Sequence, residues 1–108
     1  MNDQLTALER TCVDLIAREN WPGFRLDGLR ATRRENTGVG SFVHFEDLHG
    51  QHLVDGTYGA QGRIVEMDGV RFGLDFVVDV SSSRINYLEL VTCGDDGWDG
   101  VEREWKIT

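Results

Sequence analysis

Imidazoles and carboxylates crowd into residues 44–55, where His44, Glu46, Asp47, His49, His52 and Asp55 follow one another closely. These groups can ligate a divalent cation or exchange protons with a substrate, provided the fold makes them converge. Their spacing matches no recurrent metal signature, and a hydrated turn at a strand end needs the same residue types. Tyr58 follows within a glycine-bearing stretch, Asp55-Gly56 to Gly62. His44, Glu46, His49 and His52 with Tyr58 therefore form a candidate ligand site, for a small molecule or a metal, if two strand ends meet there.

A second group is the loop Asp95-Asp96-Gly97-Trp98-Asp99-Gly100. Alternate carboxylates around a glycine resemble a calcium loop, but the length and the distal bidentate glutamate are missing. An indole ringed by carboxylates suits a protein interface, since tryptophan is favoured at binding hot spots and acidic rims steer cationic partners. Trp98, Asp95, Asp96 and Asp99 are thus the candidate partner-binding residues, with a tryptophan folded back onto the sheet as the structural alternative.

Arg25, Arg30, Arg33 and Arg34 are the one basic concentration, followed by Thr37-Gly38-Val39-Gly40. A phosphate cradle would have to lead into a helix N-terminus, whereas residues 39–45 read as strand, so ion pairs to the acidic excess are expected instead. Cys12, Cys93 and Ser81 to Ser83 are the nucleophile candidates, and Glu66 with Glu89 a conceivable acid–base pair. Cys12 falls on an apolar helical face and the serines in a turn, so no catalytic set is assigned.

The elements that must position these groups follow from periodicity. Leu5, Leu8, Cys12, Leu15 and Ile16 recur at helical spacing, predicting a helix over 3–20 with Asn2 or Asp3 as its cap and Asn20-Trp21-Pro22-Gly23 as its stop. Residues 24–108 read as strand and turn. Phe24 to Ala31 suggest a first strand, Val39 to Phe45 a second, His52 to Val54 a short one, and residues 55–62 a loop. Ile64 to Met67 close at the hairpin signal Asp68-Gly69. Phe72, Leu74, Phe76, Val78 and Val80 then alternate onto one face, Ile85 to Val91 return, and Val101, Arg103, Trp105 and Ile107 alternate in a last strand. The expected fold is α+β: a single domain over 1–108, with one N-terminal helix on a mainly antiparallel sheet of about five to six strands.

Composition narrows the function classes. The 108 residues carry a formal net charge of −8, with eight acidic and six basic side chains in residues 1–54 but eleven and five in residues 55–108. An acidic chain lacks the cationic surplus that replaces counterions on phosphate, so neither nucleic acid nor an anionic membrane is an expected partner, while a basic protein is. Two cysteines cannot build a disulfide framework, and no leader or spanning segment is legible, so a cytoplasmic protein is expected. No motif calls for a cofactor.

From Gly73 to Trp98 the order of Gly73, Phe76-Val77-Val78, Ser82-Ser83-Arg84, Leu88-Glu89 and Trp98 is similar to small, uncharacterised bacterial single-domain proteins, over about a quarter of the chain. Some of these look like immunity proteins that neutralise toxins. Asp99 stands where a proline would often follow the tryptophan, and the resemblance implies no catalytic residue. The expectation is a non-catalytic, acidic protein-binding module, immunity-protein-like, acting through its C-terminal half and the Trp98 loop. The alternatives are a ligand site or enzyme at His44, Glu46 and His52, and a homo-oligomer assembled by edge pairing.

Overall fold

In the computed structural model, which describes residues 3–108, the amphipathic segment becomes α1 (Ala7–Asn20). Its cap is Thr6. The Thr6 hydroxyl accepts from the Glu9 N–H at 3.2 Å while the Glu9 carboxylate accepts from the Thr6 N–H at 2.9 Å, a reciprocal box that satisfies two orphan donors of the first turn. Asp3, expected as a cap, instead pairs with Arg30 at 2.7 Å, and Asn2 lies outside the described residues. Proline at position 22 ends the helix, and Trp21 caps it by donating its N–H to the Ala17 carbonyl.

Seven strands follow: β1 (Leu29–Asn36), β2 (Gly40–Asp47), β3 (Gly56–Gly59), β4 (Val65–Met67), β5 (Val70–Ser81), β6 (Arg84–Thr92) and β7 (Trp105–Ile107). All pairings are antiparallel, in the order β1-β2-β6-β5-β4-β7, with β3 and β4 sharing the second edge of the long β5. The α+β class is as expected and the strand count is slightly higher. The helix lies across one face, where Leu8, Cys12, Val13 and Ile16 meet Val43, Leu74, Phe76, Val78, Leu88 and Leu90, all 2% exposed or less. Burying each of the larger side chains contributes about 1.5–3 kcal/mol.

Several further sequence expectations are corrected. Phe24 and Leu26 alternate but precede the first strand. They pack against the core from a connecting turn, Phe24 with its ring 5.3 Å from Trp21. Strand β3 forms within the expected 55–62 loop, while residues 52–54 form none. Phe72 leaves the core face because Gly73 adopts φ +79° beside the irregular β4–β5 register, so its ring is 58% exposed under the Arg71 guanidinium. A Cβ at Gly73 would lie 2.6 Å from the Val65 carbonyl oxygen; the chain needs glycine there both for space and for backbone geometry. The last strand, expected from Val101, shortens to Trp105–Ile107: Val101 is exposed, whereas Glu102, expected on the wet face, turns inward to accept from the Thr6 hydroxyl at 2.7 Å.

Candidate functional site

The helix covers one face of the sheet; among the described residues no second layer lies over the opposite face. Antiparallel register there lines side chains into rows. One row runs Glu35, Phe42, Glu89, Val77 across β1, β2, β6 and β5, and the next runs Arg33, His44, Tyr87, Asp79. Val91 and Asp75 pair in a third row. Period two explains the assignment: in each strand these residues alternate with the buried Val43, Leu88, Leu90, Phe76 and Val78.

At the centre sit three rings. Phe42 and Tyr87 meet edge to face at 5.2 Å and 79°, Tyr87 and His44 lie 5.8 Å apart, and His44 stacks at 6.5 Å from Phe42. Each is half-buried by its neighbours alone. Cross-strand aromatic pairs of this kind contribute roughly 0.2–1 kcal/mol each to the sheet.

The two flanks of this cluster differ in charge. On the β1 flank, Arg33 reaches Glu35 at 2.7 Å and His44 Nε2 at 3.2 Å, and the Glu35 carboxylate lies 3.6 Å from the same ring nitrogen. On the β5–β6 flank stand Asp75, Asp79 and Glu89, and none of the three has a cationic partner among the described residues. Asp79 accepts from Ser81 and Asn86, both at Oδ2, and Asp75 accepts from the Phe76 N–H. Burial, then the charges of Asp79 and Glu89, push the Tyr87 hydroxyl above the usual tyrosine range; it stays a neutral donor in an anionic setting.

The residues proposed as sites from the sequence fall elsewhere, with His44 and Glu46 as exceptions. Trp98 is 4% exposed. Its indole N–H donates to the Val101 carbonyl at 3.0 Å and its backbone N–H to Gly38, so the 93–100 loop folds back against the β1–β2 hairpin. The tryptophan plugs the core instead of presenting an anchor, because an exposed indole would leave a large apolar area in water. Asp99 binds Arg103 through two bonds of 2.8 and 3.1 Å, and this guanidinium holds its carboxyl down to about 2. Asp95 and Asp96 remain exposed at the loop.

The histidine cluster does not assemble either. His44 stands on the helix-free face, as does the exposed Glu46, opposite Arg30. His49 lies in the β2–β3 connection, bonded to Asp27 at 3.0 Å, and His52 is exposed. Tyr58 turns to the covered face, edge-on to Trp21, and donates to the Val54 carbonyl at 2.6 Å. Among the described residues no group of three or more His, Cys, Asp or Glu converges as metal ligands do.

A polar network also lies under the helix N-terminus. Arg34 grips both oxygens of Glu9 at 2.8 and 2.9 Å, with Thr6 and Glu102 alongside, around a recess of about 420 Å³. Burial pushes the Glu102 carboxyl above its ordinary range. Each of these bonds closes a helix cap or a buried charge, so the network is accounted for by the fold. Cys12 is buried there, and burial, with Glu102 and Glu9 nearby, raises its thiol; burial first, then Asp75, raises that of Cys93, so neither is poised as a thiolate. Ser82 and Ser83 occupy the β5–β6 turn with positive φ, and Glu66 faces Lys106 at 3.6 Å, strands away from Glu89.

Sequence reasoning missed the helix-free face. Its signal was present as the second phase of each alternation: Phe42 and His44 in one strand, Tyr87, Glu89 and Val91 in another, Val77 and Asp79 in a third. No family model matches the chain, and neither a curated protein nor a solved structure matches it. No helix among the described residues is long and apolar enough to cross a membrane.

Proposed function

We propose that the chain is a non-catalytic, acidic protein-binding module that meets a basic protein surface through the helix-free face of its sheet. One observation carries the reading: an aromatic cluster open on one side is bordered by Asp75, Asp79 and Glu89, carboxylates with no cation of their own among the described residues. Half-buried rings supply anchor area, and unpaired carboxylates beside them supply complementarity to a cationic partner. The docking residues are therefore Phe42, His44, Tyr87, Asp79 and Glu89. The acidic C-terminal half contributes through β5 and β6, and the Trp98 loop serves as a brace.

A toxin with a basic surface is a partner of this class, since some of the small bacterial proteins that the sequence resembles look like immunity proteins. The cytoplasm is the compartment we assign, in keeping with two free thiols. A homo-oligomer through edge pairing is disfavoured at β1, whose rim carries Arg30, Arg33, Arg34 and Glu35 and a register break at Thr32.

Calorimetric titration with a short cationic peptide tests the reading. Binding is expected at low salt, weakening as salt rises, and is expected to fall in the Asp79→Asn, Glu89→Gln double variant while Asp95→Asn, Asp96→Asn behaves as the parent. Binding that depends on Asp95 and Asp96 and ignores Asp79 and Glu89 would overturn it.

A further inference from the structure

We infer that the group seated on the helix-free face is an arginine side chain of the partner, its guanidinium stacked on one ring of the edge-to-face Phe42–Tyr87 pair and held by Asp79 and Glu89. This rests on the docking reading above and names the chemistry of its occupant.

The chain displays half of the arrangement itself. On the β1 flank, a guanidinium (Arg33) meets the edge of a ring (His44 Nε2) and is paired with a carboxylate (Glu35) that stands opposite Phe42 in the register, while elsewhere on the chain the Arg71 guanidinium lies over the Phe72 ring at 5.2 Å. The β6 flank repeats the other parts: a ring (Tyr87) opposite His44, and a carboxylate (Glu89) opposite Phe42. Asp79 adds a second carboxylate, opposite Tyr87 on β5. Only the guanidinium is missing there among the described residues. A planar cation can stack on a ring face and still donate in its own plane to two carboxylates, whereas an ammonium is a more strongly hydrated point charge with no planar fork to do both.

Asp79 is partly pre-set for the task. Ser81 and Asn86 both donate to Oδ2, at 2.7 and 2.9 Å, which fixes the carboxylate and leaves Oδ1 without a donor among the described residues. Tyr87, kept as a neutral phenol by its surroundings, retains its ring quadrupole and adds no competing charge.

The experiment compares an oligo-arginine peptide with an oligo-lysine peptide of equal length by titration calorimetry at low salt. The arginine peptide is expected to bind about threefold to tenfold more tightly. Tyr87→Leu, which keeps apolar bulk and removes the ring, is expected to erase that preference while leaving salt-dependent attraction. Phe42→Leu gives the same readout on the neighbouring ring should Tyr87→Leu unfold, and circular dichroism checks both. Equal affinity for the two peptides, or a preference unmoved by both ring variants, overturns the arginine inference and leaves the docking reading standing. No binding of either peptide overturns both.

Discussion

The two faces of one sheet are built from the same strands and have opposite chemistry. Under the helix, Val43, Leu74, Phe76, Val78, Leu88 and Leu90 are buried almost completely, and the charged groups admitted nearby, Glu9, Arg34 and Glu102, belong to one network closed by the Glu9–Arg34 pair and Thr6. On the free face, rings and carboxylates alternate, none is fully buried, and three acids stand without a cation among the described residues. Cross-strand aromatic pairs on an open face also stabilise the sheet. The proposed docking role rests on the border of Asp75, Asp79 and Glu89 beside Phe42, Tyr87 and His44.

That contrast can be broken most forcefully on the covered side. Trp98→Ala removes an indole sealed at the end of the core, and a loss of about 3–5 kcal/mol in chemical unfolding is expected; a loss near zero would return the loop to solvent. Arg34→Met leaves the buried Glu9 carboxylate with the Thr6 N–H but without its half-exposed cation, and a loss of about 1–3 kcal/mol is expected in the same assay. Gly73→Ala imposes a side chain at φ +79° against the Val65 carbonyl. A loss of about 1–3 kcal/mol is expected, measured as a lowered denaturation midpoint.

On the free face the order of effects reverses. Tyr87→Leu should change stability by less than about 1 kcal/mol yet weaken binding of a cationic peptide; a large stability loss with unchanged binding would make the face structural.

The smallest effects are in pH. Asp99 titrates at about 2 when folded, below the ordinary aspartate value, through its bonds to Arg103. Its stabilisation is therefore complete above the ordinary value of about 4 and lost as pH falls toward 2. Asp99→Asn should flatten acid unfolding across that window. Glu102 has the opposite sign: its folded pKa is raised, so protonation favours the fold and the gain is lost as pH rises through that value. Glu102→Gln should lift the thermal midpoint slightly at neutral pH and not at acid pH.

Local physics made much of this molecule readable. Helical spacing from Leu5 to Ile16 located α1, proline 22 its end, and Asp68-Gly69 a hairpin, since each depends on neighbouring residues only. The cap moved to Thr6 because Glu9 completes a box that Asp3 cannot. Gly73 changed the phase of β5 and sent Phe72 outward, an effect of one backbone angle that alternation does not reveal. The candidate sites fared worse, because a site depends on register between strands far apart in sequence. Tyr87 opposite His44, and Asp79 opposite Tyr87, are facts of pairing. The histidines of residues 44–52 are close in sequence yet divided between a strand face and a loop.

The most direct test of the docking face is an amide-resolved nuclear magnetic resonance titration of isotope-labelled protein with an arginine-rich peptide. Shifts concentrated at Phe42, His44, Val77, Asp79, Tyr87 and Glu89, with α1 unmoved, are the predicted result. Shifts confined to Asp95–Asp99 or to α1 would contradict it and move the partner surface away from the helix-free face.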